Sequence, residues 1–252
     1  MALTKRIIPC LDIKDGQTVK GINFEQLTFM GDPVALAHYY SECGADELVF
    51  LDITATTEKR KTFLQLVRRI ARDVRIPFSV GGGIGSVADV YSLLHAGADK
   101  VSVNSAAVKR PGLLTELAKE FGSQCTLLAI DARAVGDKTI VCINGGRVST
   151  DLVVTDWGRM AGDMGAGELL LTSIDHDGTK NGFAIELTRS VAEAVGIPVI
   201  ASGGAGGMSD FADILTSGKA DAALAASIFH NREVEIADLK TFLKANNINV
   251  RI

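Results

Sequence analysis

The sequence predicts a single (β/α)₈ barrel, residues 1–252, built from two homologous half-barrels of approximately residues 1–122 and 123–252. Three observations favour this fold. Short apolar runs alternate eight times with longer runs of helical periodicity. Landmarks of the first half of the chain recur in the second half in the same order. The length of 252 residues, 47% of them apolar, suits one large core.

The internal repeat consists of four pairs of similar segments, each displaced by about half the chain. Each half leaves an apolar face that the other must cover, so we expect two halves of one domain. An open doubly wound sheet is the alternative, but two equal four-strand halves favour a closed ring without an unmatched edge. The pairs are 8–12 with 127–131, 44–48 with 165–169, 82–85 with 203–206, and 99–105 with 221–227.

The strands are predicted from β-branched and other apolar runs, and the helices from apolar residues at helical spacing between them. Pro33 and Pro111 suit first helical positions, and glycines such as Gly44 and Gly122 suit helix ends. The strands fall near residues 6–12, 47–52, 76–81, 99–103, 125–131, 167–172, 198–202 and 221–225. The helices fall near 32–43, 59–73, 86–96, 111–121, 152–164, 184–195, 208–217 and 235–245.

Two connections are longer than turns. Both follow strands, so both lie on the carboxyl face, where barrel enzymes place their chemistry. Residues 14–31 contain several glycines and Lys20, and they predict a mobile loop that can cover the mouth. Residues 137–150 alternate in polarity around 139–143, which predicts a small hairpin.

Composition narrows the class of protein. A net charge of −4 gives no reason to expect binding to nucleic acid or to an anionic membrane. No apolar run approaches the roughly 20 residues that span a bilayer. The N-terminal segment leads directly into a strand, so we expect no cleaved signal. The cysteines form no CxxC pair, and the simplest location is the reducing cytoplasm.

Asp12 and Asp131 are the leading candidates for catalysis. Each ends an apolar run, at the rim of the first or the fifth strand, and these strands lie opposite each other in an eight-stranded barrel. Two carboxylates that face each other across one mouth can act as a base and an acid if their pKa values differ. The alternative is that each accepts backbone N–H groups and only caps its loop.

Glycine clusters at residues 81–83 and 202–206 end the third and seventh strands, and small polar segments at 103–105 and 225–227 end the fourth and eighth. Exposed backbone N–H groups before helices are how barrels bind phosphate. Because the clusters are related by the repeat, they predict two phosphate sites on opposite sides of the mouth. A ligand with a phosphate at each end would place its middle near the two aspartates.

Other motif searches return little. Residues 81–85 lack the GxGxxG spacing and the acidic residue of a dinucleotide site. Residues 175–178 resemble a calcium loop, but the glycine comes too early. The four histidines have no metal-ligand spacing. We therefore predict neither a metal nor a cofactor.

Four charged residues immediately precede the apolar runs of the first, second, fourth and sixth strands. Two cations and two anions would form a neutral ring on the amino-terminal floor of the barrel. The pattern leaves a stabilising role and a functional role equally open. The four residues are Arg6, Glu47, Lys100 and Glu168.

The chain resembles the cyclase subunit of imidazole glycerol phosphate synthase, an enzyme of histidine biosynthesis, over nearly its whole length. The most specific segments are 46–54, 80–84, 202–206 and 222–227. The resemblance implies a lyase that uses ammonia to convert a bisphosphate, the phosphoribulosyl-formimino aminoimidazole carboxamide ribotide. The implied products are imidazole glycerol phosphate and aminoimidazole carboxamide ribotide.

The resemblance also implies residue roles. Asp12 and Asp131 would be the acid and base, Lys20 would bind substrate from the mobile loop, and the four-residue ring would be an ammonia gate. The implied phosphate contacts are Gly83, Asn104 and Ser105 at one end and Asp177, Gly178, Gly204, Ala226 and Ser227 at the other.

The implied partner is a glutamine amidotransferase (glutaminase) subunit that forms a heterodimer on the amino-terminal face and sends ammonia through the barrel. Small inward residues such as Ser79, Ser102 and Thr172 can line that passage. Many members of that family carry Asp where this chain has Ala184. A carboxylate at the start of this helix can assist substrate binding or order the loop, so the resemblance is less specific next to the sixth strand. The alternatives are the sister isomerase of the pathway, which needs no ammonia, and a non-catalytic phosphate-binding or glutaminase-activating barrel.

Overall fold

The computed structural model describes residues 3–22, 25–53 and 60–252. Eight of its strands are parallel and close into a barrel. They are β1 (Arg6–Lys14), β4 (Leu48–Asp52), β5 (Phe78–Gly81), β6 (Lys100–Val103), β7 (Thr126–Val135), β10 (Glu168–Ser173), β11 (Val199–Ser202) and β12 (Ala222–Ala225). Each pairs with the next, β7 pairs with β10, and β12 pairs with β1. The predicted barrel is therefore confirmed, and the open sheet is wrong.

Four further strands extend the barrel at its carboxyl mouth. The antiparallel strands β2 (Gln17–Ile22) and β3 (Glu25–Gly31) continue from β1, and β8 (Lys138–Ile143) and β9 (Val148–Val153) continue from β7. The hairpin predicted within 137–150 is confirmed. The strands β2 and β3 were not predicted within residues 14–31, whose role as a mobile cover of the mouth stays a prediction, and residues 23–24 lie outside the described ranges.

A turn signal accounts for the missed hairpin. Asp15 and Gly16 both have positive φ, 52° and 78°, as a two-residue type I′ turn requires. An Asp-Gly pair is a strong hairpin signal, but the glycines at 16, 21 and 31 obscured the alternation of the short strands that flank it. Lys20 therefore sits on a strand that is paired with β1 through Asp12 and its neighbours.

Ten helices lie among the described residues. They are α1 (Pro33–Glu42), α2 (Arg60–Asp73), α3 (Val87–His95), α4 (Ser105–Lys109), α5 (Gly112–Phe121), α6 (Val154–Asp163), α7 (Ile185–Ala194), α8 (Met208–Thr216), α9 (Ser227–His230) and α10 (Ile236–Ala245). The eight predicted helices are present within two residues of their expected bounds. The short helices α4 and α9 were not predicted, since four or five residues carry no readable periodicity. Within the described ranges, no helix has the length and apolar character needed to cross a membrane.

Side chains alternate between two cores along each barrel strand. On β1, Ile7 and Leu11 pack outward against the helices, while Ile8 and Cys10 face the barrel interior with Asp12 above them. The interior cluster is apolar and consists of Ile8, Cys10, Val49, Leu127, Leu170, Ile200, Ala222 and Leu224. This alternation places charged residues only at the two ends of the interior, the floor and the mouth.

A buried ion pair fixes the floor end of β1. Asp46 accepts the backbone N–H of Ile7 at 2.8 Å and Lys240 Nζ at 2.8 Å. Asp99 and Asp221 make the same aspartate-to-strand contact at Phe78 and Val199. These contacts hold neighbouring strands in register beside the charged floor. The division into two half-barrels remains a prediction.

Replacing Lys240 by Met is expected to lower the free energy of unfolding by about 3 kcal/mol, because Asp46 would keep its charge in a buried site without a cation. The matched control is Lys219→Met, since Lys219 pairs with Glu193 on the exposed surface and should contribute less than about 1 kcal/mol. Urea denaturation followed by circular dichroism measures both. Equal losses in the two variants would contradict this account.

Candidate active site

A cavity opens at the carboxyl mouth of the barrel. Residues from both halves of the chain line it, including the two candidate aspartates. Its polar and glycine lining consists of Asp12, Lys20, Asp131, Thr172, Asp177, Gly178, Lys180, Ser202, Gly203, Gly204 and Ser227. The mouth therefore brings together most of the site residues that the sequence and the resemblance indicated.

Asp12 lies at the inward rim of β1, and only 7% of its surface is exposed. Lys20 Nζ on β2 lies 3.5 Å from Asp12 Oδ2. Burial raises the pKa of the Asp12 carboxyl, Lys20 opposes that rise, and the charge of Asp177 adds to it. Lys20 thus favours the carboxylate form of a group that its buried site would otherwise protonate.

Asp131 lies at the inward rim of β7, on the other side of the cavity. Burial raises the pKa of Asp131 to about 6, a hydrogen bond from Asn104 opposes the rise, and Asp177 adds to it. Asn104 Nδ2 donates that bond to Asp131 Oδ2 at 2.9 Å. Asp12 and Asp131 therefore have different partners, a cation for one and a neutral amide for the other.

The residues implied as phosphate contacts divide into two groups. Asp177, Gly178, Gly204, Ala226 and Ser227 line the cavity together. Gly83, Asn104 and Ser105 lie at the ends of β5 and β6 and are not part of the cavity lining. Asn104 Nδ2 donates to Asp131, and Ser105 Oγ accepts the backbone N–H of Asn144 at 2.8 Å.

The glycines after β11 have a packing role as well. Gly204 has φ of 108°, and a Cβ there would lie 2.1 Å from the carbonyl oxygen of Gly182. A Cβ on Gly206 would lie 2.1 Å from the carbonyl oxygen of Lys180. The loop after β10 therefore lies directly against this turn, and a side chain would separate the two loops.

Gly204→Ala is expected to raise the KM for the bisphosphate at least about tenfold and to lower the melting temperature, because the added methyl group displaces the loop that bears Gly182. Gly85→Ala is the matched control, since a Cβ there meets open space at ordinary φ. Steady-state kinetics and thermal unfolding measure both variants. A silent Gly204→Ala, or equal damage at Gly85, would contradict the assigned close packing.

The floor residues form one closed ring of ion pairs. Arg6 donates to Glu47 at 2.7 Å and also to Glu168. Lys100 Nζ lies 3.0 Å from a carboxylate oxygen of both Glu47 and Glu168. Burial by itself would raise the pKa of Glu47, but the two cations outweigh burial and the pKa is lowered. The four charged residues predicted on the floor therefore lie in one closed ring of alternating cations and anions.

The space between the ring and the aspartates is mainly apolar. Ser79 and Ser102 are buried on inward faces, and Thr172 lines the mouth cavity. The rest of the interior belongs to the apolar cluster of Ile8 and its neighbours. The expectation of small polar residues thus describes only part of the interior.

A hydrogen-bonded group of residues next to β1 was not predicted from the sequence. His230 Nε2 lies 3.0 Å from the carbonyl oxygen of Cys10, and His230 Nδ1 lies 2.6 Å from the Tyr40 hydroxyl. A carbonyl only accepts, so Nε2 carries the proton and Nδ1 accepts from Tyr40. Burial lowers the pKa of His230 to about 4, which keeps the ring neutral. These residues tie α1 and α9 to the strand that bears Asp12.

Ala184 occupies the N-cap position of α7 and makes no side-chain capping bond. A carboxylate at this position would accept backbone N–H groups of the first helical turn. The presence of alanine instead of aspartate therefore affects the start of α7, the helix that follows the sixth barrel strand, β10. Across the described part of the chain, no group of three or more His, Cys, Asp or Glu side chains is arranged to hold a metal ion.

Comparison with known proteins gives the family. The model of a family described as histidine biosynthesis protein matches residues 6–235. The chain belongs to this family. A protein of Cytophaga hutchinsonii named imidazole glycerol phosphate synthase subunit HisF is 59% identical over 249 residues, which cover 99% of each chain. Proteins of the same name from Flavobacterium psychrophilum and Bacteroides fragilis are each 58% identical over 99% of this chain and 100% of their own length.

Membership in the histidine biosynthesis protein family agrees with the resemblance over the whole length of the barrel. The matched region includes all eight barrel strands and both long hairpins. The relatives' shared name describes each of them as a subunit of a synthase.

Proposed function

We propose that this chain is the cyclase subunit of imidazole glycerol phosphate synthase. It uses ammonia to convert the phosphoribulosyl-formimino bisphosphate into imidazole glycerol phosphate and aminoimidazole carboxamide ribotide. The observation that carries the proposal is the pair Asp12 and Asp131, which lie on opposite strands of one mouth with different partners. The names of relatives that are about 58% identical over the whole chain support the same reaction.

The substrate is a bisphosphate with one phosphate in each glycine-rich turn. The second-half site is supported by Gly178, Gly204 and Ser227, which line the cavity beside the aspartates. The first-half site uses the backbone near Gly83 and Ser105. Backbone N–H groups can bind phosphate there without any side chain that would fill the space. The middle of such a ligand lies over Asp12 and Asp131.

The two aspartates divide the proton transfers. Closing an imidazole ring with ammonia requires proton removal from the attacking nitrogen and proton delivery to the departing group. Asp12 is the base, because Lys20 at 3.5 Å favours its carboxylate. Asp131 is the acid, because burial raises its pKa to about 6 and its described partner is the neutral amide of Asn104. The different partners of the two carboxyl groups, a cation for Asp12 and an amide for Asp131, support this division of roles.

Ammonia enters from the floor of the barrel. A glutaminase subunit docks on the amino-terminal face, and the ring of Arg6, Glu47, Lys100 and Glu168 acts as the gate. The apolar interior above the ring suits a neutral nucleophile, since it offers no acid that would protonate ammonia before it reaches the mouth. The cytoplasm is the proposed location, supported by four cysteines that are all free thiols.

The test is product formation from the bisphosphate by the purified chain. With ammonium salt and no partner, we expect imidazole glycerol phosphate, and with glutamine alone we expect none. Addition of the glutaminase subunit should make glutamine an efficient donor. The sister isomerase and a non-catalytic barrel would form no imidazole glycerol phosphate under any of these conditions. Use of glutamine without a partner would refute the two-subunit assignment.

A further inference from the structure

Acidic side chains outnumber basic ones among the described residues that line the mouth cavity. The three acidic residues are Asp12, Asp131 and Asp177. Among the described residues that line the cavity, the cations are Lys20 and Lys180. Lys20 pairs with Asp12 at 3.5 Å and is occupied there. A phosphate dianion beside Gly204 and Ser227 therefore needs the charge of Lys180, a residue that the known motifs do not explain.

The backbone of Lys180 is held firmly at the rim of this cavity. Its φ is 59°, a left-handed conformation that is uncommon for residues other than glycine. Its carbonyl lies against Gly206, where a Cβ would come within 2.1 Å. Two residues further along, the N–H of Gly182 donates to the carbonyl of Gly204 at 2.8 Å. The loop that bears Lys180 therefore packs directly against the glycine turn.

The Lys180 side chain has a partner that is easily exchanged. Its Nζ donates to both carboxylate oxygens of Glu233, at 2.5 and 2.7 Å, and Asn231 Nδ2 donates to the same carboxylate at 3.0 Å. The Lys180 and Glu233 side chains are 41% and 36% exposed. Exposed ion pairs contribute little to stability. Glu233 follows α9, whose first residue is Ser227, and Lys180 lines the mouth cavity together with Ser227.

We propose that Lys180 is the phosphate-binding cation of the second-half site and that Glu233 is its resting partner when the site is empty. On binding, the phosphate replaces the Glu233 carboxylate as the acceptor for Lys180 Nζ. No covalent bond changes in this exchange. This role rests on the proposed bisphosphate substrate, because it supplies a charge that only an anionic ligand needs.

The experiment is an amide NMR titration of the full chain with inorganic phosphate. Gly204 and Ser227 report on the second-half site, and Ser105 reports on the first-half site. Lys180→Gln should raise the dissociation constant at Gly204 about tenfold, the effect of one charge-assisted hydrogen bond, and leave that at Ser105 unchanged. Glu233→Gln should lower the constant at Gly204 about threefold by removing a competing acceptor. Lys180→Arg should keep most of the affinity.

Lys219→Gln is the matched control, because Lys219 also has a left-handed backbone, with φ of 58°, and an exposed ion pair, but lies outside the cavity lining. The proposal is overturned if Lys180→Gln changes the Gly204 titration no more than Lys219→Gln does, if Glu233→Gln weakens binding, or if the Gly204 amide shows no saturable shift. A chain that bound phosphate through Lys180 but made no imidazole product would refute the proposed activity and keep this role.

Discussion

Asp131→Asn is expected to lower turnover with ammonium salt a hundredfold or more, which corresponds to about 3 kcal/mol of barrier. The amide keeps the size and the hydrogen bond from Asn104 but holds no transferable proton. Asp12→Asn should cause a similar loss, because its amide cannot accept the proton that a base must take. Steady-state rates of imidazole glycerol phosphate formation measure both variants. If either variant kept a near-normal rate, the aspartate at that position would only cap its loop and would not take part in catalysis.

Asp131→Asn should also stabilise the folded chain near neutral pH. Burial raises the pKa of Asp131 to about 6 from an ordinary value of 3.8, so the folded state binds the proton more tightly than the unfolded state. The contribution of the protonated Asp131 carboxyl to the free energy of unfolding is therefore fully present below about pH 4 and is lost as the pH rises through about 6. The ionised carboxylate then costs about 2–3 kcal/mol.

Urea denaturation at two pH values tests this sign. Asp131→Asn should unfold at a higher urea concentration than the unaltered chain near neutral pH, and the difference should disappear near about pH 4. Asp131→Ala is a useful comparison, since it removes the charge but also leaves Asn104 without an acceptor. A variant that is less stable than the unaltered chain at neutral pH would contradict the assigned desolvation of Asp131.

Lys100→Ala is expected to reduce glutamine-driven cyclisation at least about tenfold and to leave the ammonium-driven rate within about threefold, a separation of roughly 1 kcal/mol or more. Without Lys100, Glu47 and Glu168 lose one of the two cations that they share, and the ring is open on that side. External ammonia can enter from the open mouth, so the chemistry at Asp12 and Asp131 remains intact. The ratio of the two rates, with the glutaminase subunit present, is the quantity to measure.

Lys100→Arg is the matched variant for this prediction. It keeps the positive charge between the two glutamates but changes the shape of the donor, so coupling should fall less than in Lys100→Ala. Circular dichroism must show that each variant is folded, since Glu168 is only 6% exposed and would be left with Arg6 alone. Equal damage to the glutamine-driven and ammonium-driven reactions would mean that the ring is structural.

The barrel could be predicted from the sequence because the same local pattern, a short apolar strand followed by a longer helix, recurs eight times along the chain. Each barrel strand is short and apolar on both faces, and each helix between them is long enough to show its periodicity. The start of α1 was predictable from Pro33 at its first position, and the structure adds a cap, Asp32, which accepts the N–H groups of Val34 and Ala35. The hairpin after β1 was missed although the turn signal at residues 15–16 was present, because glycines interrupt its strands.

The site could be predicted where residues occupy equivalent strand ends and not where they meet through tertiary packing. Asp12 and Asp131 were visible because a barrel places the ends of its strands on one rim. The bond between Asn104 and Asp131 joins residues on neighbouring strands that no local spacing connects. The contact of His230 with Cys10 spans almost the whole chain and depends on closure of the barrel. The pairing of Lys180 with Glu233 likewise arises only when two loops meet at the mouth.

The most direct test of the account is an isotope competition in the complex of this chain with its glutaminase subunit. The donor is glutamine labelled with nitrogen-15 in its amide group, in a solution that contains excess unlabelled ammonium salt. If ammonia passes from the floor ring through the apolar interior to Asp12 and Asp131, the imidazole product should carry the label almost undiluted. A label fraction equal to that of the bulk ammonium pool would mean that ammonia reaches the mouth from solution, which would contradict passage through the barrel.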